Sequence, residues 1–244
     1  MSDRKVVLRA YWTEMVALNF QIDPGKLETY VPPGLELDFH HEAAYISLIF
    51  ANCRDVRIFG LPLPITRGYK TIYLRFYVKR TTKNGVEHGS CMVKSLVSSR
   101  LARWSIQRTI HTPTSVVKIK SQNSGFDARE GTNIVPMADY SWFEGDEANR
   151  LKIKARHRIP NLSPDTKVGF ILNRNFHYVR DNNQTYAFPM EVTSTNVWDA
   201  AQASFSCDSK NIFGPDFAYA LSRRPISVFL AEKNTNYFFA PALI

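Results

Sequence analysis

Apolar and polar residues alternate most regularly in residues 69–94, on both sides of the dipeptide Asn84-Gly85. An Asn-Gly pair between two alternating runs is the strongest short-range signal for a β-hairpin, because a type I′ turn requires positive φ at both central residues. The pattern therefore predicts an antiparallel pair of strands at residues 69–80 and 86–94. A three-residue loop would instead shift the register by one residue and turn the second strand over.

The alternation gives the first strand of this hairpin two different faces. One face is aliphatic and is expected to join the core; it carries Ile72, Leu74, Phe76 and Val78. The other face combines aromatic rings with cations and suits the wall of a pocket; it carries Thr71, Tyr73, Arg75, Tyr77 and Lys79. A loop centred on the Asn-Gly pair places Arg75 opposite Lys94 on the second strand. The same register places Tyr77 opposite Met92.

The rest of the chain shows the pattern of a β-rich protein with a few short helices. Apolar runs predict strands at residues 35–39, 44–51, 116–120, 151–158, 169–178, 186–192 and 226–230. Capping and proline signals predict helices at residues 24–30 and 98–110, and residues 198–205 are assigned to a short helix. Residues 6–20 fit either a strand or a short helix. No repeat or linker interrupts the sequence, so a single domain over residues 1–244 is expected.

The charge balance is basic, with 31 basic and 22 acidic residues and a formal net charge of +9. Such a balance permits contact with nucleic acid or another anionic surface. The basic residues are spread along the sequence, with no run of five or more and no nucleic-acid motif. We therefore interpret the charge mainly as a solvated surface, which disfavours nucleic acid as a partner. Binding of anionic partners by this surface stays open as one functional hypothesis, and salt-dependent binding would reveal it.

The sequence lacks the signatures of several common classes of segment and site. It has no apolar run of about 18 residues, the length of a transmembrane helix. Its first residues contain no apolar stretch of signal-peptide length, so a cytoplasmic protein without membrane contact is expected. Cys53, Cys91 and Cys207 form no CxxC pair and predict neither a disulfide framework nor a zinc site. No nucleotide-binding or hydrolase motif occurs, and neither a metal nor a cofactor is expected.

Lys94, placed beside Arg75 on an aromatic face, would have a specific chemical use. Repulsion from a second cation and loss of solvation both lower the pKa of a lysine, and a neutral amine attacks a carbonyl carbon to form a Schiff base. Lys94 and Arg75 are therefore candidate catalytic residues. The alternative is that Lys94 ends its strand in water while Arg75 packs its stem on Tyr77.

A set of segments spread over roughly residues 10–232 resembles a known family. The segments are FQIDP at 20–24, VPPGLELD at 31–38, AYISL at 44–48, GLPLP at 60–64, LRFYV at 74–78, LAR at 101–103 and ISV at 226–228. Their order and spacing resemble the YqjF-like family of uncharacterised bacterial proteins, which is related to the acetoacetate decarboxylase superfamily. The resemblance implies a β-rich α+β fold, in which an antiparallel sheet with a few short helices curls into a closed cone or barrel around a central cavity.

The chain departs from the decarboxylases at positions that carry charge. Acetoacetate decarboxylases have two adjacent lysines after the hairpin turn, and these positions correspond to Val93 and Lys94, so one lysine remains. Arg75 would supply the second cation. YqjF-like members usually have an acidic residue and an asparagine before the LRFYV segment, where this chain has Thr71 and Tyr73. A Glu-Arg-Tyr-like triplet of the family stands here as RNF at 174–176.

Two functions follow from the residues and the resemblance together. In the first, the protein binds a small acidic or aromatic organic ligand in the central cavity, against a wall of Tyr73, Arg75, Tyr77 and Met92. In the alternative, it is a Schiff-base lyase of the decarboxylase or aldolase type that acts on an oxo acid through Lys94. In both cases the expected partner is a small molecule, and a homo-oligomer is compatible with the sequence.

Overall fold

The computed structural model describes residues 5–65, 68–126, 134–144, 147–193 and 196–244. The strands are β1 (Val6–Ile22), β2 (Glu36–Leu37), β3 (Ala44–Ile58), β4 (Leu61–Pro62), β5 (Tyr69–Thr82), β6 (Gly85–Val97), β7 (Thr114–Val116), β8 (Lys118–Ser124), β9 (Met137–Glu144), β10 (Glu147–Arg158), β11 (Phe176–Asp181), β12 (Gln184–Val192), β13 (Val197–Ser206), β14 (Ser227–Phe239) and β15 (Ala242–Leu243). The α-helices are α1 (Arg100–Thr109), α2 (Lys167–Leu172), α3 (Ser209–Phe213) and α4 (Pro215–Ser222).

The long strands form a closed ring. In spatial order the ring runs β12, β11, β6, β5, β3, β1 and β14, and β14 then pairs with β12. Every pairing in the ring is antiparallel except the parallel contact of β6 with β11. Strands β13, β10, β9 and β8 continue from β14 as a further sheet. The predicted β-rich fold, with a sheet that curls and closes, is confirmed.

Strand β5 and the first half of β3 are buried on both faces of the ring, and the further sheet covers part of the outside. Phe50 of β3 points outward, and its ring centroid lies 5.2 and 5.3 Å from those of Tyr140 and Trp142 on β9. Tyr73 and Tyr77 of β5 point inward, into a cluster with residues of β1, β3, β14 and helix α2. The two predicted faces of β5 are therefore both present, and both are packed.

Some elements differ from the sequence prediction. Residues 6–20 belong to a strand, β1. Residues 198–205, predicted as a helix, belong to β13, whose backbone pairs along β10; tertiary pairing overrides a weak helical preference here. Residues 169–178 are not one strand, because Thr166 caps α2 by accepting a hydrogen bond from the backbone N–H of Gly169. The predicted helix at 24–30 is two single 3-10 turns.

Three further findings concern membrane-spanning helices, metal sites and cysteines. Within the described ranges, no helix is both long enough and apolar enough to cross a membrane. The same residues contain no group of three or more histidine, cysteine, aspartate or glutamate side chains arranged to hold a metal ion. All three cysteines have free thiols.

Candidate functional site

The hairpin that carries the predicted site residues has a different register from the predicted one. Strands β5 and β6 meet at the pair Thr82 and Gly85, so the loop is one position earlier than expected. The reason lies in the backbone, because Gly85 alone of the Asn-Gly pair has a positive φ, at 121°. Arg75 consequently pairs with Met92. The predicted pairing of Arg75 with Lys94 is wrong, as is that of Tyr77 with Met92.

A β-bulge then separates Lys94 from the interior of the ring. Arg75 pairs with Met92 while the preceding residue, Leu74, pairs with Lys94, so Val93 is an extra residue in β6. One extra residue reverses the faces to which the following side chains point. Lys94 therefore lies on the outer face of the ring, together with Leu74, whereas Arg75 faces inward.

The amine of Lys94 is engaged on that outer side. Its Nζ donates a 2.7 Å hydrogen bond to the carbonyl oxygen of Ile212 in α3. It also lies 3.4 Å from Oε1 of Glu144 at the end of β9. The candidate nucleophile and its candidate partner Arg75 are thus on opposite sides of the same sheet, and the structure does not bring them together.

Three of the predicted site residues, Tyr73, Arg75 and Met92, line a cavity of about 30 Å³ inside the ring, which we call the Arg75 cavity. Other residues of its wall come from β1, β6, α2 and its C-terminal flank, β12 and β14; they include Trp12, Leu172, Arg174, Met190, Asn234, Asn236 and Phe238. A volume of this size holds about two water molecules. A larger ligand therefore requires side chains to move.

Tyr77, also predicted as a ligand-binding residue, lies beside this cavity and not in its wall. The guanidinium carbon of Arg75 is 5.3 Å from the centre of the Tyr77 ring, and that of Arg174 is 4.9 Å from it. The Tyr77 hydroxyl forms a 2.5 Å hydrogen bond with Oγ of Ser47. The Tyr77 ring thus makes cation–π contacts with both guanidinium groups. Contacts of this kind strengthen when the groups are desolvated.

Arg75 is a buried cation, with 8% of its surface exposed. Its Nη2 donates a 2.7 Å hydrogen bond to the carbonyl oxygen of Ile171. Its Nε is buried and has no hydrogen-bond partner in the part of the chain that the structure describes. Among the residues the structure describes, no carboxylate lies within 4.0 Å of its guanidinium nitrogens. A buried charge without a counter-charge destabilises the folded state, so Arg75 in this position is expected to lower the free energy of unfolding.

Arg174, in contrast, is fully neutralised. Its Nε donates a 2.6 Å hydrogen bond to the carbonyl oxygen of Phe170, and its Nη1 donates to Oδ2 of Asp38. His88 reaches the same carboxylate oxygen, at 2.7 Å from its Nδ1. The pair of Arg174 with Asp38 therefore closes one side of the Arg75 cavity as a structural unit, and Arg75 is left as the cation available to a ligand.

A buried histidine lies close to this region without adding charge to it. His177 faces the inside of the ring, 1% exposed, with its Nε2 3.2 Å from Oγ1 of Thr112. Burial, with a smaller effect of Arg75, outweighs its backbone hydrogen bonds and lowers the pKa of His177 to about 4. The imidazole is therefore neutral at pH 7 and adds no second positive charge beside Arg75.

The sequence prediction missed Asn234 and Asn236 as wall residues. They lie on β14, and Nδ2 of Asn236 donates a 2.7 Å hydrogen bond to Oδ1 of Asn234. The predicted strand ended at residue 230, whereas β14 continues to Phe239. The signal was present, because two asparagines two residues apart on one strand share one face. Phe238 continues the same face.

Comparison with known proteins agrees with this fold. Residues 9–234 match DUF2071, a family of uncharacterized conserved proteins. Over 120 residues the chain is 28% identical to the uncharacterized protein YqjF of Bacillus subtilis (strain 168). That match covers 49% of this chain and 48% of YqjF, so the chain aligns with about half the length of this relative.

Solved structures that resemble the chain over nearly its whole length include the following two. Acetoacetate decarboxylase from Legionella pneumophila has a TM-score of 0.66 at 12% identity, over 99% of this chain and 90% of that chain. The enduracididine biosynthesis enzyme MppR, complexed with pyruvate, has a TM-score of 0.65 at 12% identity, over 97% of this chain and 90% of that chain. At such identities the likeness shows the fold. The predicted resemblance to YqjF and to the acetoacetate decarboxylase-like fold is confirmed.

Proposed function

Because the chain belongs to the DUF2071 family of uncharacterized conserved proteins, we propose its function from its own cavity: it binds a small organic carboxylate inside the ring. The carboxylate group of the ligand lies on the guanidinium of Arg75. The body of the ligand lies against Trp12, Tyr73 and Phe238.

The observation that carries this proposal is the unpaired state of Arg75. A guanidinium presents its donors as a planar fork that matches the two oxygens of a carboxylate. Nε of Arg75 has no hydrogen-bond partner among the described residues, and Nη2 donates to the backbone carbonyl of Ile171. A ligand carboxylate would satisfy Nε and neutralise the charge in one step, which removes the largest unfavourable feature of the cavity.

The rest of the wall is suited to a polar group next to the carboxylate. Asn234 and Asn236 offer amide groups that accept or donate hydrogen bonds, and their mutual hydrogen bond holds them in place. An oxo or hydroxy group of the ligand would bond to these amides. The aromatic rings nearby accept a short aliphatic or an aromatic body. The resemblance to MppR, a protein solved with pyruvate, supports small oxo acids as the first compounds to test.

The Schiff-base alternative through Lys94 has less support. Fold likeness to a decarboxylase suggests it. The described residues that line the Arg75 cavity include no lysine, and the amine of Lys94 is engaged on the other face of β6. An imine formed on Lys94 would thus lie away from the cation that holds the carboxylate. We therefore favour ligand binding as the function over a lyase activity through Lys94.

The test is titration calorimetry with pyruvate, 2-oxobutyrate, acetoacetate and phenylpyruvate, each compared with its neutral methyl ester. We expect at least one acid to bind and its ester not to bind. Arg75→Gln is expected to weaken that acid about 10- to 100-fold, the effect of losing a hydrogen bond to a charged group. Arg108→Gln, which changes an exposed arginine of α1, is the matched control and is expected to bind as the wild type does.

Borohydride reduction of the same mixtures separates the two functions. Under the binding proposal no stable adduct forms on Lys94. An adduct on Lys94, found by peptide mass spectrometry, would instead establish the lyase. If no acid binds, or if esters and acids bind equally, the carboxylate proposal is wrong.

A further inference from the structure

The wall of the ring has a gap beside Met92. On the edge of β6 that faces away from β5, residues 89–91 pair with β11 and residues 95–97 pair with β7. Among the described residues, no strand pairs with residues 92–94 on that edge. The bulge at Val93 falls in this same stretch, and bulges commonly interrupt pairing next to functional sites.

A surface cleft of about 310 Å³ lies at this gap, and we call it the outer cleft. Three consecutive residues of β6 line it, Cys91, Met92 and Val93. In a regular strand consecutive side chains alternate between faces, so three in a row reflect the bulge. Exposed residues at its rim, His111 and Arg180 among them, show that the cleft communicates with solvent.

Inside the ring, a second space of about 30 Å³ adjoins the Arg75 cavity. It is lined by Cys53 and Ser95 among others, and we call it the Cys53 cavity. The two inner cavities share four wall residues, which are Trp12, Tyr73, Met92 and Phe238. Of the residues that border the outer cleft, Met92 alone also borders both inner cavities.

Met92 has a side chain that is flexible enough to separate these spaces in one rotamer and to connect them in another. Its side chain is unbranched, with three rotatable bonds, and adapts to irregular spaces. It is only half-buried, and its Sδ accepts a weak 3.9 Å hydrogen bond from Oγ1 of Thr112. Rotation of the Met92 side chain would cost little and would join the outer cleft to both inner cavities. The backbone of the ring would not have to open.

We propose that the side chain of Met92 closes a passage from the outer cleft to the interior of the ring, and that the ligand reaches Arg75 by displacing it. The identity of the molecule that passes rests on the proposed function; the passage itself does not. The small volume of the Arg75 cavity would then be that of the closed state.

The test uses the thiol of Cys53 as a reporter of access to the interior. Methyl methanethiosulfonate is small and neutral; the thiolate attacks its sulfenyl sulfur, forms a mixed disulfide and releases methanesulfinate. The extent of reaction at each cysteine is followed by peptide mass spectrometry on the full chain at one fixed pH. Burial raises the pKa of Cys53 to about 12, so the reaction is slow and rates are compared between variants.

We expect Met92→Ala to raise the rate at Cys53 about tenfold, which corresponds to roughly 1.4 kcal/mol less free energy for opening. Met190→Ala is the matched control. Met190 borders the Arg75 cavity but neither the outer cleft nor the Cys53 cavity, so its truncation enlarges the interior without opening the passage. Its rate at Cys53 is expected to stay within about twofold of the wild type.

Three results would overturn the proposal. The first is a Cys53 rate in Met92→Ala equal to that of the wild type. The second is an equal increase in Met190→Ala. The third is a parallel increase at Cys207, which lies outside all three spaces, because the increase at Cys53 would then not be specific to the passage. Because the reagent is neutral, a failure of carboxylate binding leaves these rates unchanged, and the two proposals fail separately.

Discussion

Arg75 and Arg174 both pack against the ring of Tyr77, yet of the two only Arg174 is paired with a carboxylate, that of Asp38. Both guanidinium groups are buried. The difference therefore lies in the counter-charge and not in solvent access. Among the described residues Arg75 has no counter-charge, and stability explains such a buried cation poorly; the anionic ligand that we propose would explain it.

This difference predicts opposite effects on stability. Without ligand, Arg75→Met is expected to raise the free energy of unfolding by about 1 kcal/mol, because an apolar side chain replaces an uncompensated charge. Arg174→Met is expected to lower it by about 3 kcal/mol, because Asp38 loses the cation that pairs with it. Urea unfolding at pH 7 measures both. Equal losses in the two variants would show that Arg75 is structural.

Lys94 is expected to matter little for the binding of acids. Lys94→Ala removes an amine that lies outside the ring, so the affinity for the acid that binds best should stay within about twofold of the wild type. Calorimetry with that acid checks this, with Arg75→Gln as the variant that does lose affinity. A loss in Lys94→Ala as large as that in Arg75→Gln would place the lysine in the site after all.

His177 is expected to make stability depend on pH. The pKa of His177 is about 4 in the folded protein, against 6.5 for an ordinary histidine, because burial disfavours the charged imidazole. The unfolded chain therefore binds this proton more tightly, and stability is lost as the pH falls below about 6.5. By pH 4 the loss from this residue reaches about 3 kcal/mol.

The contribution of His177 can be isolated by substitution. In His177→Gln this part of the pH dependence is absent, so the difference in unfolding free energy from the wild type should shrink between pH 7 and pH 4.5. His157→Gln, at an exposed position of β10, is the control and should keep the wild-type pH profile. Urea unfolding at several pH values gives both curves. Parallel curves for His177→Gln and the wild type would contradict the assignment.

Gly89 is expected to be indispensable for the contact of β6 with β11. A Cβ added there would lie 2.6 Å from Cδ2 of Tyr178 and 2.8 Å from the carbonyl oxygen of Phe176. Gly89→Ala should therefore destabilise the protein by about 2 kcal/mol, since backbone atoms cannot move aside cheaply. Gly25→Ala, where the nearest atom is 3.4 Å away, is the control and should be nearly neutral in thermal unfolding.

The faces of β5 could be predicted from the sequence, because strand periodicity is a local property of the chain. Tyr73 and Arg75 on one face and Leu74 on the other are found as expected. The bulge at Val93 could not be predicted in this way. It lies where β6 changes its neighbour from β11, which comes from a distant part of the chain, to β7, which follows β6 after helix α1.

The same limit applies to the counter-charge of Arg174. Its partner Asp38 is 136 residues away in sequence, and neither residue lies in a motif that links them. From the sequence, Arg174 could be noted only as a departure from the family pattern. The difference between Arg75 and Arg174 depends on this distant pair, because Asp38 pairs with Arg174 and not with Arg75. Local patterns therefore predicted which side chains face inward, but not which charge stays uncompensated.

The ring closes through two short ladders on either side of the β11–β12 hairpin. Three residues of β11 pair with β6 and three residues of β12 pair with β14, whereas β1 pairs with β3 along most of its length. This hairpin should therefore be a separate unit of local unfolding, with faster amide hydrogen exchange than β1 and β3. The proposed binding site is thus bordered by the part of the ring that has the shortest strand pairings. Ligand exchange and global unfolding can then proceed on different timescales in one small protein.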